Sequence, residues 1–245
     1  MIVCFNRQFY YNHFYLCRNF IILDLQLSFK VNDWLYLKDP ESSETGKQIV
    51  KAAIDLISDL GFEQFTIKKL SLEVECTEAT IYRYFENKHR LLLYIVNWYW
   101  CYMEFLLVFR LQNVTDNKEK LRTILNLLTH ELPESTGKSD YNKKFLNQIV
   151  IAESSKAYLV KDVAEINKNE VFKPYKDLCA HIAAVISAYN PRYQYPKSLS
   201  STLMETSHSQ QFFSKYLPGL TDVGRKKNTE FAHRFLDDLL FKVLG

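Results

Sequence analysis

The chain has 245 residues, 47% of them hydrophobic, with six glycines, six prolines and a formal net charge of +3. This is enough apolar material for a sizeable core in one or two domains, and too little turn chemistry for a β-rich or low-complexity protein. The near-neutral balance excludes a strongly basic nucleic-acid coat, so any nucleic-acid contact must rest on a few placed cations. The five cysteines are odd in number and show no C-x-x-C, which suits a reducing cytoplasm.

Residues 1–43 read as an atypical N-terminal extension. Aromatic residues crowd Phe5 to Phe20 without a clear period, and the longest apolar run, Phe20 to Leu23, is flanked by Arg18 and Asp24. That run is far short of the roughly 20 residues a membrane span needs, and no signal-peptide pattern is present. Two readings stand: an added helix packing on the domain that follows, or weakly ordered chain ahead of a true start near Val31 to Leu37. Asp39 to Gly46 is polar with a proline and a glycine, the pattern of a linker.

Lys47 to Leu60 is predicted helical, with Ile49, Ala52, Ala53, Leu56, Ile57 and Leu60 as one stripe and Gly61 as its stop. Phe62 and Phe65 anchor the following loop. A second helix is predicted from Thr66 to Val74, capped by the Thr66 hydroxyl, with Ile67, Leu70 and Val74 inward and Ser71 small enough to let a neighbour approach. Glu75-Cys76-Thr77 forms the turn. Thr77 caps a third helix, with Glu78 in its first turn, where the macrodipole favours negative charge. Ile81 and Phe85 point inward, while Thr80, Tyr82 and Arg83 are left outside.

A short helix with a polar outer face, propped by a crossing helix, is the arrangement a helix-turn-helix presents to a major groove. The residues resemble the TetR/AcrR family of transcriptional regulators, whose pattern runs roughly T-x-x-x-(I/L)-A-x-x-A-G-V-S-x-x-T-(L/I)-Y-x-(H/Y)-F-x-(S/N)-K-x-x-L. This chain places Thr66, Leu70, Ser71, Val74, Glu75, Cys76, Thr77, Thr80, Ile81, Tyr82, Tyr84, Phe85, Asn87, Lys88 and Leu91 there. Glu75 stands where a turn glycine is usual, so a non-glycine residue must take a positive φ. Glu78 stands at a variable, often base-facing position, where a carboxylate repels phosphate and can accept from a cytosine amino group.

The resemblance implies an all-α protein: a three-helix DNA-binding domain over residues 44–92 and a helical-bundle ligand-binding and dimerisation domain over 93–245. It implies a ligand-responsive repressor that binds a palindromic operator in double-stranded DNA as a homodimer, with no enzymatic activity. Tyr82, Thr80, Tyr84 and Lys88 are expected at phosphates, helped by Arg83, with Lys68, Thr77, Glu78 and Ala79 nearest base edges. One count runs the other way: residues 44–95 hold seven Lys/Arg and eight Asp/Glu, which leaves open an adaptor that keeps the three-helix unit without binding DNA.

A long aromatic helix is predicted from Asn87-Lys88 to about Gln112. Aromatic residues on such a helix are core or walls of a ligand cavity; Tyr94, Trp98, Tyr102 and Phe105, with Phe145, are the candidate walls. Further helices are predicted over 118–132, 141–160, 162–189 (with a break near Pro174), 198–216 and 225–244. In the resembling family two late helices pair between subunits. The matching positions are Leu199, Leu203 and Phe213 on the first, and Phe231, Phe235 and Leu239 on the second. Catalytic chemistry is thin: no nucleophile motif, phosphate loop or dinucleotide fingerprint occurs, and neither cofactor nor membrane partner is expected. Glu205 and His208 make one E-x-x-H spacing, where a di-iron bundle needs two plus two further Glu, so an all-α metalloprotein is a distant third reading.

Overall fold

The computed structural model describes residues 29–130, 132, 141–222 and 230–245, together with the backbone of 15–17 and 20–22. Those two short segments, β1 (Tyr15–Cys17) and β2 (Phe20–Ile22), pair antiparallel with Tyr15 opposite Ile22. The rest of the aromatic stretch before Phe29, the segment 133–140 and the start of the helix expected over 225–244 lie outside the described residues. Everything else with regular structure, among the described residues, is helical, as the composition implied. The chain divides into two compact units: one runs to Trp98 and takes in 133–149, the other comprises 99–132 and 150–245.

The first unit contains α1 (Glu44–Leu60), α2 (Ile67–Glu73), α3 (Glu78–Tyr82), and the starts of α4 (Lys88–Leu111) and α6 (Lys143–Glu153). Its N-terminal segment is packed rather than loose. Phe29, Val31 and Leu35 are buried, Leu35 completely. Asn32 accepts from the Trp34 N–H (2.9 Å) to start a 3-10 turn over Asp33–Leu35. The Leu37 N–H donates to the Tyr84 carbonyl (2.7 Å). The Arg90 guanidinium lies over the Trp34 ring and donates to its carbonyl.

The Asp39–Gly46 stretch, expected as a linker, is part of this packing. Asp39 accepts from the Glu41 N–H and caps a second 3-10 turn, Pro40–Ser42, which lies against α1. Ser43 then caps α1 by accepting from the Gly46 N–H (3.2 Å), so the helix starts three residues before Lys47. A Cβ at Gly46 would sit 2.3 Å from the Pro40 carbonyl oxygen. The glycine permits the close approach of turn and helix, and its role is spatial rather than flexible. With the turn alongside, Val50 and Ile54 join Ile49, Ala53 and Ile57 in the core, while Ala52, Leu56 and Leu60 stay half-buried. Gly61 ends α1 at φ 76°.

A polar cluster lies inside this unit. The Glu41 carboxylate accepts from the Tyr141 hydroxyl (2.6 Å) and the Tyr94 hydroxyl (3.4 Å). Burial raises the Glu41 carboxyl above its ordinary range, with the tyrosine hydrogen bonds acting against it. Trp98 packs edge-on against both Phe29 and Tyr141.

The second unit holds the rest of α4, then α5 (Asn117–Thr129), the end of α6, α7 (Ser155–Tyr158), α8 (Val163–Lys168), α9 (Lys173–Tyr189), α10 (Pro196–Tyr216) and α11 (Phe231–Leu244). Asp116 caps α5 by accepting from the Glu119 N–H. The break expected near Pro174 is made by Glu170, which takes φ 56° after α8; Pro174 itself sits in the first turn of α9. Helices α9 and α10 pack on each other and on α5, and α11 packs on α5 and α10. Helix α4 is long and apolar enough to cross a membrane, yet most of that stretch is buried inside the fold, which is the signature of a core helix.

Candidate nucleic-acid interface

The helix-turn-helix is built from local signals. The Thr66 hydroxyl accepts from the Lys69 N–H (3.2 Å) and starts α2; Leu70 is fully buried, Ile67 nearly so, and Ser71 donates back to the Lys68 carbonyl. The turn residue Glu75 sits at φ 53°, the left-handed conformation expected of a position usually held by glycine. The Cys76 N–H closes the turn onto the Ser71 carbonyl (2.9 Å), and partial burial raises the Cys76 thiol above its ordinary range. The Thr77 hydroxyl accepts from the Thr80 N–H (3.2 Å) and starts α3.

Helix α3 is anchored by Ile81 and followed by Phe85, both fully buried. Its opposite side presents Glu78, Ala79, Tyr82 and Arg83 to solvent, with Thr80 half-exposed and Lys68 exposed on α2. Tyr82 is 44% exposed. These side chains form one surface of hydroxyls, a guanidinium, an ammonium and one carboxylate, chemistry suited to phosphates and base edges. Thr77 and Thr80 share a hydroxyl contact of 3.0 Å on that surface.

Two residues expected at phosphates have partners within the unit. The Tyr84 ring is 3% exposed, and its hydroxyl, at the edge of the fold, meets Ser43 Oγ (2.9 Å) and Lys38 Nζ (3.5 Å). The bond to Ser43, then Lys38, holds the Tyr84 hydroxyl below its usual range against the effect of burial. Lys88 Nζ donates to the Phe62 and Phe65 carbonyls, both at 3.2 Å, and lies over the Phe62 ring. Each partner carbonyl belongs to the loop between α1 and α2, whose curvature a residue further along the chain then satisfies. Lys88→Ala leaves two carbonyls without their cation at a net cost of about 1 kcal/mol each. Thermal melting reads this: Lys88→Ala melts several degrees below the parent, whereas Lys68→Ala melts with it. Equal melting of the two variants would return Lys88 to the list of free phosphate ligands. Lys38, exposed and 46 residues from Tyr84, was absent from the sequence-based set, because nothing local links the two.

The candidate pocket walls separate. Tyr94 and Trp98 are in the first unit, enclosed by Phe85, Phe29 and Tyr141, and act as core. Phe145 is half-buried in that unit. Tyr102 is buried in the second, where Phe105 stacks on the exposed Phe109. The candidate pairing positions separate too. Leu199 and Leu203 are buried inside the second unit and are corrected to core. Phe213, Phe231 and Leu239 are half-exposed, and Phe235 is 37% exposed.

Residues 49–95 match the family model for bacterial regulatory proteins of the tetR family. This segment is similar to the helix-turn-helix region of that family. The matched segment covers α1 from its second turn, all of α2 and α3, and the first two turns of α4. Among solved structures, AibR in complex with isovaleryl coenzyme A and operator DNA aligns with TM-score 0.54 at 18% identity, covering 82% of this chain and 98% of that one. The fatty acid degradation regulator FadR from Bacillus halodurans aligns with TM-score 0.57 at 17% identity, covering 83% and 96%. A TetR-family regulator from Agrobacterium tumefaciens aligns with TM-score 0.57 at 16% identity, covering 84% and 100%. At such identities the likeness establishes the fold. No curated protein matches the sequence. The family likeness thus rests on residues 49–95, and beyond them the solved structures share only the helical architecture.

Proposed function

We propose that the chain is a ligand-responsive repressor, cytoplasmic and without catalytic activity, that inserts α3 into the major groove of a palindromic operator as a homodimer. The observation that carries this is the two-sidedness of α3. Ile81 is completely buried, while Glu78, Ala79, Tyr82 and Arg83 on the other side are exposed. In this reading Thr80, Tyr82 and Arg83 take phosphates, and Lys68, Thr77, Glu78 and Ala79 face base edges. The neighbour AibR, in complex with isovaleryl coenzyme A and operator DNA, supports DNA and a small-molecule effector as the partner classes.

A gel shift against the DNA upstream of its own gene tests the reading. Arg83→Ala weakens binding on all sequences and lowers the salt slope by about 1, as one phosphate contact is lost. Glu78→Ala changes the preferred sequence in a selection experiment. No shift on any upstream fragment would favour the adaptor reading, which the one-charge acidic excess of residues 44–95 supports.

Pairing is assigned to α11. Its inward stripe, Ala232, Leu236, Leu240 and Leu244, closes the protomer's own core. The second stripe, Phe231, Phe235, Leu239 and Val243, is left outward, with the Phe231 and Phe235 rings parallel at 6.2 Å. A single short helix reads DNA weakly, and a two-fold partner doubles the contacts. Phe235→Glu yields a folded monomer with poor operator affinity, read by sedimentation and far-UV circular dichroism. A parent chain that sediments as a monomer at micromolar concentration overturns the dimer.

A further inference from the structure

The Glu205–His208 pair, too sparse for a metal site in the sequence, acquires partners in the fold. Both residues lie on α10 three apart, so they share a face. Tyr158 at the end of α7 donates to Glu205 Oε2 (2.9 Å), and Tyr175 on α9 donates to Oε1 (2.6 Å). Trp100 on α4 meets Tyr175 edge-to-face at 4.8 Å and lies against His208 at 5.5 Å. All five residues belong to the second unit.

Two features point to a ligand. His208 is 5% exposed and its Nε2 has no hydrogen-bond partner; an orphaned buried nitrogen costs free energy unless something fills its valence. Glu205, Tyr158 and Tyr175 are only half-buried, so the rim of the cluster is reachable from solvent. Among the described residues, no lysine or arginine forms an ion pair with Glu205. A carboxylate offers about four acceptor positions, and the tyrosines use two.

The chemistry of the cluster is one-sided. It offers an anionic carboxylate, an imidazole kept neutral by burial, and three aromatic rings, Trp100, Tyr158 and Tyr175, a residue type that attracts cations. A metal ion would lack ligands, since no third His, Cys, Asp or Glu joins the pair among the described residues. An anion would meet Glu205 unscreened. A donor with positive charge satisfies the carboxylate, the imidazole nitrogen and the rings together.

We propose that the second unit binds a small organic ammonium ion, which donates N–H bonds to Glu205 and to His208 Nε2 and lies against the Trp100 indole. This rests on the reading of the chain as a ligand-responsive regulator and assigns the chemical class of its effector.

Calorimetry on the full chain with benzylamine, benzyl alcohol and benzoate, three probes of similar shape and different charge, tests it. Benzylamine binds saturably at millimolar concentration or below, and benzoate does not. Glu205→Gln keeps the shape and one acceptor oxygen, and weakens benzylamine by about tenfold or more through loss of a charge-assisted bond. Tyr175→Phe serves as a second variant and weakens binding without removing charge. Binding of benzyl alcohol or benzoate as tight as that of benzylamine overturns the proposal, as does unchanged benzylamine affinity in a natively folded Glu205→Gln. Absence of benzylamine binding by the parent chain overturns it as well. An operator gel shift on the same preparations separates the two readings. A shift that persists without amine binding removes the ammonium site alone, and amine binding without any shift removes the regulator reading alone.

Discussion

Leu35→Ala lowers the melting temperature by about 5–15 °C, from a cost of about 2–5 kcal/mol for a buried leucine and about 2–4 °C per kcal/mol in a chain of this size. Leu35 has no exposed surface and sits in a 3-10 turn held by Asn32 on one side and by the Leu37–Tyr84 backbone bond on the other. These anchors limit relaxation into the cavity, which places the cost toward the upper part of the range. Leu37→Ala is the internal control: its side chain is 68% exposed, and its loss leaves melting unchanged. Differential scanning calorimetry of the two variants decides whether the segment before α1 is part of the fold. Coincident melting of Leu35→Ala and the parent would mean that it is not. The same reasoning applies to a chain begun at Lys38. It loses Phe29, Val31 and Leu35 from the core together with the Trp34 ring under Arg90, and melts lower still.

The second large effect is a loss of stability on acidification, centred on His208. Burial is the main cause of its lowered pKa, about 4 against an ordinary 6.5, with the Glu205 carboxylate acting the other way. Between these values the unfolded chain binds the proton and the folded chain does not. Stability is therefore full above pH 6.5 and is lost as pH falls through the window toward 4. The gap caps the contribution at about 3 kcal/mol. Glu41 opposes it: its raised pKa means that the folded state takes up a proton first, so its contribution grows as pH falls. The test is thus a difference. His208→Gln, compared with the parent in urea melts at pH 7 and pH 4.5, loses less stability on acidification than the parent. Parallel losses would show that His208 does not titrate in the fold.

Much of the helix-turn-helix unit was legible because its determinants are short-range. A hydroxyl three residues before an N–H is a cap in any context, and Thr66 and Thr77 both form one. A tight turn between two helices demands a positive φ at one residue, and Glu75 adopts it despite its side chain. Four-residue spacing put Ile81 and Phe85 on one side, and both are buried. Where the sequence was silent, the partner was distant along the chain. Lys88 looked like a free cation, and its acceptors lie 23 and 26 residues earlier. Tyr84 looked like a phosphate ligand, and Ser43 takes its hydroxyl across 41 residues. Leu199 and Leu203 carried the apolar pattern of an interface, but a stripe does not say which neighbour covers it.

The sequence by itself determined the helical class, the boundaries of the helix-turn-helix and the outer face of α3, since caps, turns and helical period act within a few residues of the chain. Only the tertiary structure decided the rest. It packed the Pro40–Ser42 turn against α1 through a contact that only a glycine at 46 admits. It chose which of two apolar stripes on α11 the protomer keeps for itself. It gathered Glu205, His208, Tyr158, Tyr175 and Trp100 from four helices into one cluster. The physical reason is common to all three: burial and long-range hydrogen bonds depend on which surfaces meet, and residues tens of positions apart leave no local pattern that records their meeting.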